Sequence, residues 1–492
     1  MTRSSLRLGI DLGTSAVKAV AIDRAGTVVA SGESAYPTHA ELPGQAEQEP
    51  SHWLQAAAIA VGNVNSQLGP VWSWQLTSIG LTGQLPTLVC LGESGPLGRA
   101  IVWADSRADS WTAARLGHER RGQFYRATGM PIDGRYLAPM FQFHWRDRRV
   151  SVRRLLSAKD FLCFALTGRM VTDPSTAAGY GVYAISEGRW DPALCAFWDL
   201  DPKLLPEIGP ARAIAGPLNS AGARLLGLQE GLPILIGAAD SVAGALAMAG
   251  LEEGSASIVM GSSTIVIEAV RGVLLDPQAR YLMTPHVLEG WYGREMDLLS
   301  TGTGLRWLCS VLGWSCEQFE LRALRSPAGA NGLCFSPYLA GGEQGALWNP
   351  DLRGVIHGLT LHHNSADIAR AFLEGVSFEI RRCLDVLEES APVERIVLSG
   401  HAADSLGIMG MLADVLGRPV QPFAHHSPSA IGAALLGSDA DAGTPQETEP
   451  PEPPAAIEPG AAAEAYRRLY QRYVGLFPRI AETPANAGTK AE

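Results

Sequence analysis

Three carboxylates in this chain stand where chemistry is easily placed. Asp11 closes an apolar strand in Leu8–Asp23, LGIDLGTSAVKAVAID, and is followed by Gly13, Thr14 and Ser15. Glycine tolerates tight backbone geometry, and successive amides with hydroxyls beside them form a concavity that suits a phosphate. A carboxylate next to such a turn can hold Mg²⁺, usually through water. Asp240 ends a second apolar strand and opens a helix of small residues in GAADSVAGALAMAGL. The carboxyl ends of strands are where open α/β sheets bind ligands. Asp105 lies with Trp103 and Arg107 in Arg99–Asp109, RAIVWADSRAD, so an indole face, an acceptor and a forked donor share one turn. Sugars present apolar C–H faces and ringed hydroxyls, and this set matches both. Each feature also has a plain counterpart, namely a hairpin turn, a helix cap and a buried Trp beside an ion pair, so the rest of the chain must decide.

A second set repeats the first. Ser255–Val270, SASIVMGSSTIVIEAV, is again strand, glycine-hydroxyl turn and strand, with Gly261, Ser262 and Ser263 at the turn. Thr301–Leu308, TGTGLRWL, places Gly302 at the start of a helix, where free N–H groups favour an anion. Ile396–Ser405, IVLSGHAADS, is a strand stopping at Gly400 and leading through Ser405 into a helix, a segment able to cover adenine or phosphate. Two phosphate grips, one near the start of each half, point to duplicated domains facing each other across a nucleotide cleft.

The elements that must position these residues alternate. Strands are expected at Val28–Ser34, Ile79–Thr82, Leu88–Leu91 and Pro233–Ile236, and helices at Ser51–Leu68, capped by Ser51, and Ala158–Thr167, ended by Gly168. The fold class is therefore α/β. A length of 492 residues exceeds what one core usually serves. With 46% hydrophobic and 18% charged residues the chain is globular, and a formal net charge of −11 argues against nucleic acid or an anionic membrane as partner. The seven cysteines are scattered without a C-x-x-C pair, which suggests neither a disulfide framework nor a zinc site and fits a reducing cytoplasm. The start runs straight into a strand, and the longest apolar helix candidate, Val242–Leu251, is too short for a bilayer, so neither export nor a membrane span is expected.

Taken in order, these segments resemble the FGGY carbohydrate kinases of the actin, Hsp70 and sugar kinase superfamily. LGIDLGTSAVKAVAID resembles the first phosphate motif, GLTGQ with WADSR the sugar-site segments, and KDFLCFALTG with TDPSTAAG the middle of the N-terminal domain. GAADSVAGA resembles the catalytic aspartate motif and VMGSSTIV the second phosphate motif. PYLAGGEQGALWNPDLRGVIHGLT with RAFLEGVSFEIR resembles the C-terminal signature, and SGHAADSLGIMGMLADVLGRPV the adenosine motif. WADSR and MLADVLGRPV look closest to the xylulokinases and their ketose-kinase relatives.

The resemblance implies two RNase H-like, actin-like ATPase domains that close on a substrate, and transfer of the ATP γ-phosphate to a hydroxyl of a ketopentose such as xylulose. Asp240 would be the general base and Asp11 would position Mg²⁺. Gly13, Thr14 and Ser15, with Gly261, Ser262, Ser263, Gly302, Gly400 and Ser405, match nucleotide-side positions. Gln84, Trp103, Asp105, Asp240 and Ser241 match the sugar side. The implied organisation is a sugar-binding domain over 1–236, a nucleotide-binding domain over 237–437, a Pro/Glu/Ala-rich mobile linker over 438–460, a helix over 461–482 docking on the body, and a tail over 483–492. ATP and a small sugar or polyol are the expected partners, and the acidic surface is compatible with a homodimer.

Departures from the family pattern gather at the sugar pocket. Leu85, Pro86 and Thr87 replace the Met-His-Gly of xylulokinases after Gln84, Ser241 stands where xylulokinases usually carry Asn, Met140 replaces the Lys of the family signature, Gln344 follows Glu343 where Arg is usual, and His401 interrupts a glycine run. The acceptor therefore stays open among xylulose, ribulose, sedoheptulose, glycerol and an aldonate. A binding protein that has lost turnover is a second class, opposed by the retained Asp240. An Hsp70- or actin-like ATPase is a third, but it would not need the 103–107 and 354–379 segments. The pairs His362–His363 and His425–His426 have no third ligand at metal spacing, and Arg146–Arg154 reads as a solvated loop in an acidic protein.

Overall fold

The computed structural model describes residues 5–69, 72–340, 345–349, 352–438 and 454–481. They fall into two compact units, one drawn from Met1–Leu251, Val270–Gly293 and Ser427–Glu452, the other from Glu252–Ala269, Arg294–His426 and Pro453–Glu492. Compactness thus divides the chain differently from a single cut at 236/237, because two later segments return to the first unit. Glu343, Gln344, most of the 438–460 segment and residues 482–492 lie outside the described residues. Among the described residues no helix is long and apolar enough to cross a membrane.

The first unit is built on a mixed sheet in the order Ile214–Pro217, Pro233–Leu235, Leu76–Gly83, Leu6–Leu12, Ala16–Ile22, Val28–Ala35. Leu6–Leu12 is buried along its whole length, as expected of a central strand covered on both faces. Leu8, Ile10 and Leu12 enter a core with Trp53, Ala57 and Leu162. Side chains alternate across a strand, so Gly9 points the other way. There the helix Pro428–Leu435 lies so close that a Cβ on Gly9 would stand 1.8 Å from the Ala430 carbonyl oxygen. Gly80 on the neighbouring strand has the same close approach to Ala433. These two glycines are needed for contact between helix and sheet.

Register sets the functional edge. Leu6–Leu12 pairs in parallel with Leu76–Gly83, Asp11 opposite Thr82, and Ala238–Ala239 pairs in parallel with the same strand, Ala238 opposite Thr82. Asp11, Gln84 and Asp240 therefore emerge together at one carboxyl edge. A smaller sheet in the same unit, ordered Glu47–Gln48, Ala100–Val102, Thr87–Leu91, Arg154–Leu156, lies over a second core that includes Leu88, Ile101, Tyr136, Met140 and Phe141. It delivers the 103–107 turn beside Glu47 and Gln48, because Glu47 pairs with Ile101 and Gln48 with Ala100.

Helix Pro50–Leu68 begins differently from expectation. Pro50 takes the first helical position and Glu49 is the cap residue, so Ser51 lies inside the first turn. Proline is pre-organised for that position and lacks the N–H that would go unpaired, which overrides the capping preference of Ser51.

In the second unit, strands run in the order Trp291–Leu298, Thr264–Arg271, Ser255–Met260, Arg395–Gly400, Gln421–Pro422. Ser255–Met260 is antiparallel to Thr264–Arg271 and parallel to Arg395–Gly400, Met260 opposite Gly400. This repeats the first unit's hairpin with a parallel strand beside it, and so extends the echo seen in the two turns. The 24-residue helix Ser365–Glu388 runs largely buried, capped by Asn364 with a reciprocal bond from Asp367. Helix Ala463–Ala481 packs on it through Tyr466, Tyr470 and Tyr473 around Phe378, with the Tyr466 hydroxyl donating to Glu374 at 2.8 Å. Within the 438–460 segment, Ile457 forms a bridge with Val420 through two backbone bonds of 2.8 and 3.0 Å. A Pro- and Glu-rich composition did not reveal this backbone pairing, because such bonds carry no side-chain signature.

Candidate functional site

Asp11 is 7% exposed and its Oδ1 has no hydrogen-bond partner. Burial pushes its carboxyl up to about 6, against a lowering by Lys18 and with a smaller push from Glu33. The turn after it is pinned on several sides. Gly13 donates its N–H to the Ala16 carbonyl at 3.0 Å, and the Tyr36 hydroxyl donates to the Gly13 carbonyl. The Thr14 carbonyl accepts from Gln48 at 2.8 Å, and the Thr14 hydroxyl accepts from the Trp103 indole N–H at 3.1 Å. Trp103 therefore ties the turn expected to grip phosphate to the turn expected to face sugar. Ser15 is exposed. The Tyr36 hydroxyl is held far above its ordinary range by burial and then by the charges of Asp11 and Asp240, which places both carboxylates in its field.

Gln84 is 1% exposed and donates to Gln48 Oε1 at 2.7 Å, while its own Oε1 has no partner. Two buried acceptors without donors, Asp11 Oδ1 and Gln84 Oε1, thus stand at this sheet edge. A buried acceptor left unsatisfied is costly, and a hydrated divalent cation or a ligand hydroxyl would relieve that cost. The residues present therefore fit Mg²⁺ at Asp11.

Asp240 starts helix Asp240–Ala249, with Ala239 as cap residue. Its Oδ1 accepts the Ser241 N–H at 3.0 Å, and its backbone carbonyl accepts from the Ser429 hydroxyl at 2.9 Å. Behind it lies a buried chain of polar groups. The Ala239 N–H donates to Ser175 Oγ at 2.9 Å, and Ser175 donates to Asp173. Asp173 is 3.1 Å from the Lys159 ammonium, which also meets Asp160 at 2.9 Å and the Ile236 carbonyl at 2.9 Å. The Thr82 hydroxyl donates to the Ala238 carbonyl at 2.8 Å. The Ala238–Ala239 peptide that leads into Asp240 is thereby held at both its N–H and its carbonyl. A cation shared by two carboxylates keeps its charge despite complete burial, and the two acids hold the Lys159 ammonium above its usual range against burial.

Asp105 is fully engaged. It accepts the Ala46 N–H at 2.9 Å and the Arg107 N–H at 3.1 Å, and Arg107 closes on it with its guanidinium and reaches Glu47 at 2.6 Å. His144 Nε2 lies 3.7 Å from Asp105 Oδ1. Burial first, then the Arg107 charge, pulls that imidazole down to about 4, so it is neutral at pH 7. An imidazole is thus contributed to this group from helix Leu137–Trp145. Of the residues that replace the family pattern, Leu85 packs against Gly179, and Met140 is buried in the second core. Ser241 is buried beside Asp240.

In the second unit, a Cβ on Gly302 would stand 2.1 Å from the Gly261 carbonyl oxygen, so only glycine permits this contact. Thr303 donates its N–H and hydroxyl to the Ser262 carbonyl at 3.0 and 2.8 Å, and Arg306 reaches the Ser262 hydroxyl at 3.2 Å. Gly400 has a φ of +100° and an equally tight approach to Met260. Gly261, Ser262, Ser263, Gly302 and Gly400 are therefore brought together, with the N-terminus of helix Thr301–Leu312 beside the turn. That is an anion-binding arrangement. Ser405 stands apart in role: its hydroxyl caps helix Leu406–Leu416 by accepting the Ile408 N–H at 3.1 Å, and it donates to Glu320.

Comparison with known proteins decides the family. The model of the FGGY carbohydrate kinase N-terminal domain matches residues 6–247, and that of the C-terminal domain matches residues 256–440. The chain belongs to the FGGY family of carbohydrate kinases. It is a phosphotransferase acting on a carbohydrate hydroxyl, with ATP as donor and Mg²⁺ as cofactor. The kinase is 28% identical to a gluconokinase of Bacillus licheniformis over 456 residues, covering 88% of this chain and 87% of that one. It is also 28% identical to the xylulose kinase of Escherichia coli K12 over 435 residues, covering 87% and 88%. The solved xylulose kinase of Rhodospirillum rubrum superposes with a TM-score of 0.84 at 28% identity, covering 96% of this chain and 99% of that one. The gluconate kinase of Lactobacillus acidophilus, at 24% identity and a TM-score of 0.87 over 98% and 99% of the two chains, shares the fold.

The residues that sequence reasoning missed are Tyr36, Glu47, Gln48, His144, Lys159 and Ser175. Four act directly on a singled-out residue from far along the chain, as Gln48 on Gln84 and Glu47 on Arg107, while Lys159 and Ser175 act through Asp173, Ile236 and the Ala239 amide. Lys159, Asp173 and Ser175 did lie in segments quoted for their resemblance, and an apolar helix carrying a lone Lys-Asp pair was the available signal.

Proposed function

We propose that this kinase phosphorylates a hydroxyl of a neutral ketopentose such as xylulose, with Asp240 as general base. The observation that carries this reading is charge balance. The one guanidinium in the Trp103 to Arg107 turn is neutralised by both Asp105 and Glu47, and His144 beside them is neutral. Asp240 adds further negative charge. Such surroundings repel the carboxylate of an aldonate and cost a neutral polyol nothing, since like charges raise the free energy of bringing a second anion near. Relatives named for xylulose and for gluconate are equally similar, so electrostatics rather than similarity supports the choice.

In this reading Trp103 offers its face to the sugar's C–H groups while its N–H stays on Thr14. Gln84 Oε1 accepts a sugar hydroxyl. Asp240 accepts the proton of the attacking hydroxyl, and its orientation is set by the Ser241 N–H and by the Lys159 to Ser175 chain. Phosphoryl transfer rewards positioning and timely proton removal more than a strong base. Asp11 would hold Mg²⁺, which when bound would spread the phosphate charge; Gly13, Thr14 and Ser15 would contact the phosphate end, and Gly261, Ser262, Ser263, Gly302 and Gly400 would hold the nucleotide.

The test is ADP release with Mg²⁺ and ATP across xylulose, ribulose, sedoheptulose, glycerol and gluconate. A kcat/KM for a neutral ketose at least tenfold above that for gluconate is expected. Gluconate as the best acceptor would overturn the substrate reading, and tight sugar binding without ADP release would support a regulator that has lost turnover.

A further inference from the structure

Outside the groups already described, the second unit brings three metal-ligating side chains together. Strands Arg395–Gly400 and Gln421–Pro422 pair in parallel, with Val397 opposite Gln421 and Leu398 opposite Pro422. Because parallel strands run in one direction, the segments leaving their carboxyl ends emerge at the same sheet edge. His401 and Asp404 leave the first strand in a single helical turn, and His426 lies just beyond the second. The second segment is held there, because Phe423 donates its N–H to the Leu398 carbonyl at 2.7 Å and the Ser399 hydroxyl donates to the His425 carbonyl at 3.2 Å.

The result is a His-Asp-His group. His401 Nδ1 lies 3.9 Å from Asp404 Oδ2, His426 Nε2 lies 3.5 Å from Asp404 Oδ1, and all three ligand atoms lie within 4.8 Å of one another. The two imidazole rings lie at 34° to each other with centroids 5.7 Å apart. Tetrahedral zinc with bonds of about 2.0–2.1 Å separates its ligand atoms by roughly 3.4 Å, so small rotations of exposed side chains would bring these atoms onto that geometry. All three residues are exposed, which leaves a fourth position for water. Two imidazoles and one carboxylate select zinc or a neighbouring transition metal over Mg²⁺, which prefers oxygen ligands.

We propose that His401, Asp404 and His426 form a transition-metal site, distinct from the Mg²⁺ position at Asp11. The sequence concealed it: His425–His426 offered no third ligand nearby, and the other two come from more than twenty positions upstream.

The probe is Zn²⁺ titrated into the tag-free full chain in excess Mg²⁺, with Co²⁺ absorption to report ligand type. One equivalent is expected, with a Co²⁺ spectrum of nitrogen and oxygen ligands and no thiolate band. His401→Gly, Asp404→Asn and His426→Ala should each lose that equivalent while keeping the wild-type thermal transition, and all three positions are exposed enough for the fold to tolerate the change. Cys316→Ser should keep it, since Cys309 and Cys316, 3.9 Å apart, are the nearest thiol pair that could bind metal instead. No uptake by the wild type, uptake surviving in His401→Gly/His426→Ala, or a thiolate band would each overturn the site.

Discussion

Asp11→Asn should make the kinase more stable and less active at once. Burial raises the Asp11 carboxyl from 3.8 to about 6, so keeping it ionised at neutral pH costs the folded state about 3 kcal/mol, since each tenfold change in proton affinity is ~1.4 kcal/mol. The sign comes from proton counts. Below pH 4 both folded and unfolded forms hold the proton and nothing is lost. Between about 4 and 6 the unfolded chain releases it first, so stability contributed by this group falls as pH rises, and above 6 the loss is constant. Asparagine keeps the shape without the charge. The variant should therefore match the wild type near pH 4 and exceed it by about 2–3 kcal/mol from pH 6 upward, or roughly 3–5 °C in Tm for a unit of this size. Unfolding of both proteins by urea from pH 4 to 8, without nucleotide or Mg²⁺, measures the gap. Turnover with Mg²⁺ and ATP should fall by about a hundredfold or more, because charge held at the phosphates is usually a large catalytic contribution. A gap independent of pH, or a variant less stable than the wild type, would refute the argument that Asp11 is kept ionised at a cost for the sake of its ligand.

Other consequences are as concrete. Lys159→Met leaves Asp160 and Asp173 buried without their cation and should cost about 3–5 kcal/mol in urea unfolding; a loss under about 1 kcal/mol would mean that the buried cluster is not what holds this region. Gly302→Ala forces a Cβ against the Gly261 carbonyl and should raise KM for ATP at least tenfold while leaving KM for the sugar nearly unchanged, a split that steady-state kinetics reads directly. His144 should titrate near pH 4 by NMR, about two pH units below an ordinary histidine, and a value near 6.5 would show that Arg107 and burial do not dominate it.

Much of the fold was readable where local rules suffice. The Asp11 to Ser15 turn and Asp240 both end apolar strands, and the structure places them at the carboxyl edge that such patterns imply, aligned by the shared pairing with Leu76–Gly83. The return of Pro428–Leu435 to the first unit was not readable, because the signal lies in Gly9 and Gly80, whose missing side chains matter only against a helix more than three hundred residues away. The support of Asp240 was hidden for the same reason. Ser175 reaches Ala239 across 64 positions, and Lys159 reaches Ile236 across 77, so no window of sequence contains both partners. Asp105 shows the reverse: the expected sugar-facing carboxylate proves to be bound by Arg107 and the Ala46 amide, which a pattern of residue types cannot distinguish from a free acceptor.

Asp240→Ala, assayed for ketopentose-dependent ADP release alongside sugar binding by titration calorimetry, bears on the proposed chemistry more squarely than any other variant. The sugar should still bind, with an affinity within a few-fold of the wild type, while ADP release falls by about 10²-fold or more, the range expected for loss of a positioned base. Sugar-dependent ADP release retained within tenfold of the wild type would contradict the role given to Asp240.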